Sequence, residues 1–174
     1  MPQYDAHEIE ARISRVYQPL FDLVKKLELT AEEVLTEFGN DNLDSDIIST
    51  FLADLSELEN IYEEFITMVE EISQGLEYES RIAKNILESF RKAKELFGDI
   101  RIQAENLLGF VKPGLIKTKT NDILNDILTQ LNDMIKKLRT IIGEEIRYKL
   151  EKLMDEQKRI EHLFPDEKSF EEAL

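Results

Sequence analysis

The chain has no cysteine and no tryptophan, and among its 174 residues there are only four prolines and six glycines. The missing cysteine removes a disulfide framework, thiol catalysis and any cysteine-bearing zinc site. So few prolines and glycines leave the backbone few places to reverse, and an all-β sandwich or a loop-rich α/β fold is poorly supplied with turns. Long apolar runs are missing too, since the longest uncharged stretch is seven residues, Ile47 to Ala53. That is too short to cross a membrane, and the polar, acidic start from Met1 to Glu8 lacks the character of a secretory signal. A cytoplasmic protein is expected.

Positive charge is absent from one whole region. The formal net charge is −15, from 22 basic and 37 acidic residues. Between Leu27 and Ser80 there is no Lys or Arg but there are sixteen acids, which leaves 21 acids against 22 bases in the rest of the chain. The net charge is therefore a local property of one window. With 42% hydrophobic residues the chain has enough apolar surface to offset the entropy of ordering it.

That apolar content is arranged with helical periodicity. Ile9, Ile13, Val16, Leu20, Leu23 and Leu27 keep to one face of a helix over 5–27, opened by the Asp5 and Glu8 capping pair and expected to kink at Pro19. Thr30 with Glu33 reads as a second capping box, predicting a separate short helix over 31–38 that Gly39 closes. From Ile48 to Val111 the apolar positions advance in alternating steps of three and four, failing only at Glu79. Gly75 and Gly98 fall inside this run, so 45–111 is either one long helix or a segment folded back at one of them. A last helix is expected from about 118 to 163, its stripe shifting near Gly143 in the manner of a stutter. Pro165 ends it, and Ser169 with Glu172 suggests a short terminal helix.

These elements predict an all-α fold: an elongated antiparallel bundle of three or four long helices with coiled-coil-like packing, and short helices at 31–38 and near the C-terminus. Residues 1–164 form the expected single domain, and 165–174 an acidic tail or helix. Two arrangements stay open. In one, a 67-residue helix is flanked on its two halves by the first and last helices; in the other, the middle folds back at Gly75 to give four helices, the last overhanging or bending at Gly143.

The acidic window is the candidate site. Counting Ile48 as heptad position a places Glu57, Glu64 and Glu71 at c, and Glu63, Glu70 and Glu77 at b. Both positions point away from the packed seam, and neither has an obvious intramolecular base. Acids four apart, such as Glu59 and Glu63, repel by roughly 0.2–0.5 kcal/mol. Such a ridge suits a basic or amphipathic helical partner, with attraction expressed as association rate and specificity, whereas a solvated face would only aid solubility.

Other chemistries have little support in the residues. Di-metal bundles use Glu-x-x-His, but the residues three before His7 and His162 are Tyr4 and Arg159. No Gly-rich phosphate loop, nucleophile elbow or Glu-x-x-Glu pair occurs. The bases of 136–159, Lys136, Lys137, Arg139, Arg147, Lys149, Lys152, Lys158 and Arg159, are too sparse for a nucleic-acid surface and are expected to pack against the acidic helix. Asp122, Asp126 and Asp133 share one exposed stripe without visible partners. The expectation is a non-enzymatic protein-interaction module, a scaffold, adaptor or chaperone, with no catalytic, metal or cofactor site and no nucleic-acid or membrane partner. A shared apolar stripe would serve self-association. The competing reading uses bundle carboxylates to hold a divalent metal or a phosphate-bearing ligand.

Overall fold

The computed structural model describes residues 6–75, 81–111 and 122–163. Helix α1 spans Ala6–Gly39, α2 Ser45–Gly75, α3 Arg81–Val111, α4 Asp122–Thr140 and α5 Arg147–Leu163. A π-helical turn, Ile141–Ile146, joins α4 to α5, so 122–163 runs as one rod. At 1.5 Å per residue α2 and α3 are each about 46 Å long and the last rod about 63 Å. Among the described residues the protein is an all-α bundle of four rods.

Side-chain partners show how the rods run. On α1 and α2, Thr30 meets Asp54, Lys26 meets Glu57, and the Tyr17 ring meets Phe65, so one number falls as the other rises. Arg101 with Glu59 and Lys94 with Glu63 set α3 antiparallel to α2. Gln103 with Gln130 and Lys92 with Glu145 do the same for α3 and the last rod. Arg139 with Glu28 and Lys158 with Glu10 close the ring between that rod and α1. Consecutive rods are thus neighbours and alternate in direction, as short connections favour.

Of the two arrangements left open by the sequence, the chain takes the four-rod form, with Gly75 ending α2 and Gly98 lying inside α3. The separate helix over 31–38 does not form, because α1 continues through both Pro19 and Thr30 to Gly39. Nothing between Leu27 and Thr30 breaks a helix, and burial continues in phase at Ala31 and Val34. Thr30 is itself buried, and its hydroxyl donates to Asp54 at 2.6 Å instead of capping a new helix.

The end of α1 also departs from expectation. Gly39 is the last helical residue, and the left-handed conformation is taken two residues later by Asp41, at φ 58°. The amides of Asp41 and Asn42 return to the carbonyls of Phe38 and Glu37 at 3.1 and 2.8 Å, the Schellman arrangement that satisfies a helix's last carbonyls. Asp44 then caps α2, its side chain accepting the Ile47 amide at 3.0 Å, while Leu43 is buried under the turn.

One continuous apolar core runs through the bundle, from Ile9 and Leu153 to Val34 and Leu124. Its middle is aromatic. Tyr62 lies 4.9 Å from Phe97 and 5.9 Å from Phe90, ring centre to ring centre, and Phe65 lies edge-on to Phe90 at 5.3 Å. The expected tail helix of 165–174 lies outside the described residues.

Candidate functional site

Position within the heptad decides where the acids of α2 point. Around a helix the outermost row, opposite the seam, is flanked by b on one side and c on the other. In α2 the outermost row is Ala53, Asn60, Thr67 and Gln74, all exposed and uncharged. The acids form two columns beside it. Glu57, Glu64 and Glu71 lean towards α1, and Glu63 and Glu70 lean towards α3, all five being exposed. Glu77 lies outside the described residues.

The expectation that these acids have no intramolecular base is corrected for two of them. Lys26 of α1 approaches Glu57 at 3.5 Å, and Lys94 of α3 approaches Glu63 at 3.4 Å. Heptad counting within one helix missed both because the cations sit on neighbouring rods whose register only the folded bundle sets. Two further acids of α2 are also matched. Arg101 donates to Glu59 at 2.8 Å and to the Ser56 hydroxyl at 3.0 Å. Lys26 lies 3.4 Å from Asp54, and the carboxylates of Asp54 and Glu57 together raise the pKa of its ammonium above the usual lysine value. Asp54, an acid that the heptad count does not single out, is buried by the fold. Its phase beside Leu55 and Leu58, on the α1 side of the seam, was the signal available for it.

Along α2 the balance therefore changes. From Asp54 to Glu63 every acid has a cation from α1 or α3. Among the described residues Glu64, Glu70 and Glu71 make no ion pair, and no basic residue stands in the last turn of α2 to offset Glu70 and Glu71 near its negative end. The exposed pairs of the first half contribute under about 1 kcal/mol each.

The basic segment of 136–159 does not pack against α2, contrary to expectation. α2 packs chiefly on α1 and α3, and the last rod on α3 and α1, so the two lie diagonally across the bundle. Several cations of the last rod find partners on α1, on α3 or within the rod itself. Arg139 pairs with Glu28 at 3.2 Å, and Lys149 reaches the Ser89 hydroxyl at 2.5 Å, the Asn85 carbonyl at 3.2 Å and Glu145 at 3.4 Å. Burial alone would raise the pKa of the Glu145 carboxyl, but Lys149, Lys92 and the Ser89 hydroxyl outweigh it and leave the group below the usual carboxylate range.

Two spaces merit description. A small, partly open apolar pocket lined by Ala31, Phe51, Ala104, Leu128 and Asn132 measures about 10 Å³, the room of a single water. An open groove of about 460 Å³ runs between α1 and α2, with Arg12 and Arg15 on one wall, Glu63, Glu64 and Glu71 on the other, and Val16 and Met68 in its floor. It is too open to enclose a small molecule. Among the described residues no three His, Asp or Glu side chains gather to hold a metal ion, and no helix is long and apolar enough to cross a membrane. His7, Asp122, Asp126 and Asp133 are all exposed. No protein family, curated protein or solved structure matches the chain.

Proposed function

We propose that the protein is a non-enzymatic interaction module that presents the acidic face of α2 to a protein partner with a basic or amphipathic helical surface, acting as a scaffold, adaptor or chaperone. The observation behind this reading is the contrast within α2. Between Asp54 and Glu63 every acid has a cation, while Glu64, Glu70 and Glu71 stand exposed without an ion pair among the described residues. Glu70 and Glu71 lie where the helix dipole disfavours them, so the arrangement opposes stability locally and serves a surface potential. The diagonal placement of the basic rod keeps its cations away from that face.

The test compares two variants of equal charge loss. One replaces Glu64, Glu70 and Glu71 by Gln; the other replaces Asp122, Asp126 and Asp133 by Asn on α4. Partner capture in a pull-down should weaken for the α2 variant, more so at low salt, and stay at the wild-type level for the α4 variant. Equal capture by both would mean that the α2 face is only solvated.

A further inference from the structure

The groove between α1 and α2 carries charge of opposite sign on its two walls, and that polarity selects an occupant. Arg12 and Arg15, one turn apart on α1, stand across from Glu64 and Glu71, two turns apart on α2. Heights along the bundle follow from the pairs already described: with Tyr17 opposite Phe65 and Lys26 opposite Glu57, Arg12 stands level with the turn carrying Glu71, and Arg15 with the turn of Thr67 and Met68. Arg15 and both glutamates are exposed, and Asn60 and Thr67 along the groove are uncharged.

We propose that this groove is the interface for a second copy of the chain. A two-fold axis laid along the groove carries the α1 wall of one copy over the α2 wall of the other, and keeps every residue at its own height. The Arg12 and Arg15 wall of each copy then faces the Glu64 and Glu71 wall of its partner, twice over. A two-fold axis across the groove instead sets α1 upon α1 and α2 upon α2, opposing like charges. The surface is thus self-complementary in one orientation and self-repelling in the other, the condition for a closed symmetric pair. Val16 and Met68 supply a narrow apolar strip along the axis. This rests on the same α2 face as the reading above, but it engages only the column leaning towards α1 and leaves Glu70 free for a basic partner.

The experiment uses the purified full chain and light scattering in about 0.15 M salt, where screening over roughly 8 Å mutes the −15 of each copy but not pairs in contact. Wild type should show twice its 20.3 kDa mass. Arg12→Glu with Arg15→Glu gives two acidic walls, and Glu64→Arg with Glu71→Arg gives two basic walls, so each double variant alone should fall to the monomer mass. Their equimolar mixture should recover the doubled mass, because an all-acidic groove complements an all-basic one. Circular dichroism confirms that each variant keeps its helices. A monomeric wild type, or variants that remain dimeric alone, overturns the proposal. Because the readout is the mass of the isolated chain, its failure is separate from failure of the partner-capture test, which reads a different protein on the same surface.

Discussion

α3 and the last rod solve the same packing problem with different spacing. In α3 the buried residues Ile86, Phe90, Ala93, Phe97, Ile100, Ala104, Leu107 and Val111 alternate steps of four and three, so an ordinary α-helix keeps them on one face. In the last rod Leu138, Ile142, Ile146 and Leu150 follow one another at steps of four, which would carry an α-helix progressively off its face. The π turn of Ile141–Ile146 takes up the surplus, since it accommodates one residue more than an α-helical turn. Each rod holds a glycine at the relevant place, and the two glycines differ. A Cβ added at Gly98 meets nothing within 4 Å, whereas at Gly143 it would stand 3.0 Å from the Phe21 ring. Beside Gly143, the Tyr17 hydroxyl donates to the Ile142 carbonyl at 2.9 Å, giving the widened turn a donor from α1.

The sharpest way to break this comparison is to delete one residue from each rod. Without Gly98, everything after it in α3 rotates by about 100°, and Ile100, Leu107 and Val111 leave the core. At about 1.5–3 kcal/mol per side chain the loss rivals the whole stability of a typical domain, and thermal unfolding should lose its cooperativity. Deleting Gly143 restores the alternation of four and three, so a continuous α-helix should form and the cooperative melt should persist. Should both deletions unfold the chain alike, the π turn is not a one-residue surplus.

Tyr17→Phe comes next in size. It withdraws the donor from the Ile142 carbonyl, and urea unfolding should show a loss of about 1–2 kcal/mol. Alanine scanning of the two glycines then sharpens the contrast. Gly98→Ala should stabilise by roughly 0.5–1 kcal/mol, because helical glycine carries an entropic penalty and the site is open. Gly143→Ala should gain nothing, since Phe21 is held by stacking on Tyr17 and by Lys25 over its ring. The smallest effect belongs to Glu145, inside the π turn. Its carboxyl titrates below the usual range in the folded chain, so its contribution is present at neutral pH and is lost as pH falls through the acid range. Between pH 6 and 3, Glu145→Gln should narrow the fall in melting temperature slightly relative to wild type.

Much of this architecture was legible in the residues, and the misreadings have physical causes. The stripes of α1, α2 and α3 and the disturbance at Gly143 follow from periodicity, which burial enforces on every packed helix. The end of α2 at Gly75 was ambiguous because the heptad count continues past it, so two helices in phase read like one. Gly98 lies between Lys94 and Asp99 and mimics a helix end, although an exposed glycine only weakens a helix that packing holds together. Thr30 with Glu33 mimics a cap because a hydroxyl that caps and one that meets a buried carboxylate look alike until α2 is placed. For the candidate surface, the two columns of acids could be read from the heptad. Lys26 and Lys94 as their counter-charges could not, since interhelical register is a property of the assembled bundle.

Tyr62 has a consequence for spectroscopy. Its hydroxyl is buried and donates to the Phe90 carbonyl at 2.5 Å, and burial together with the nearby Glu63 carboxylate drives its pKa far above the ordinary value near 10. In the native bundle this phenol stays un-ionised through the alkaline range in which an unfolded chain would release its proton. Stability therefore declines as pH rises above about 10, and the phenolate appears only when α2 and α3 part. The chain has five tyrosines and no tryptophan, so the part of the high-pH phenolate absorbance that Tyr62→Phe removes becomes an intrinsic clock for the opening of that helix pair.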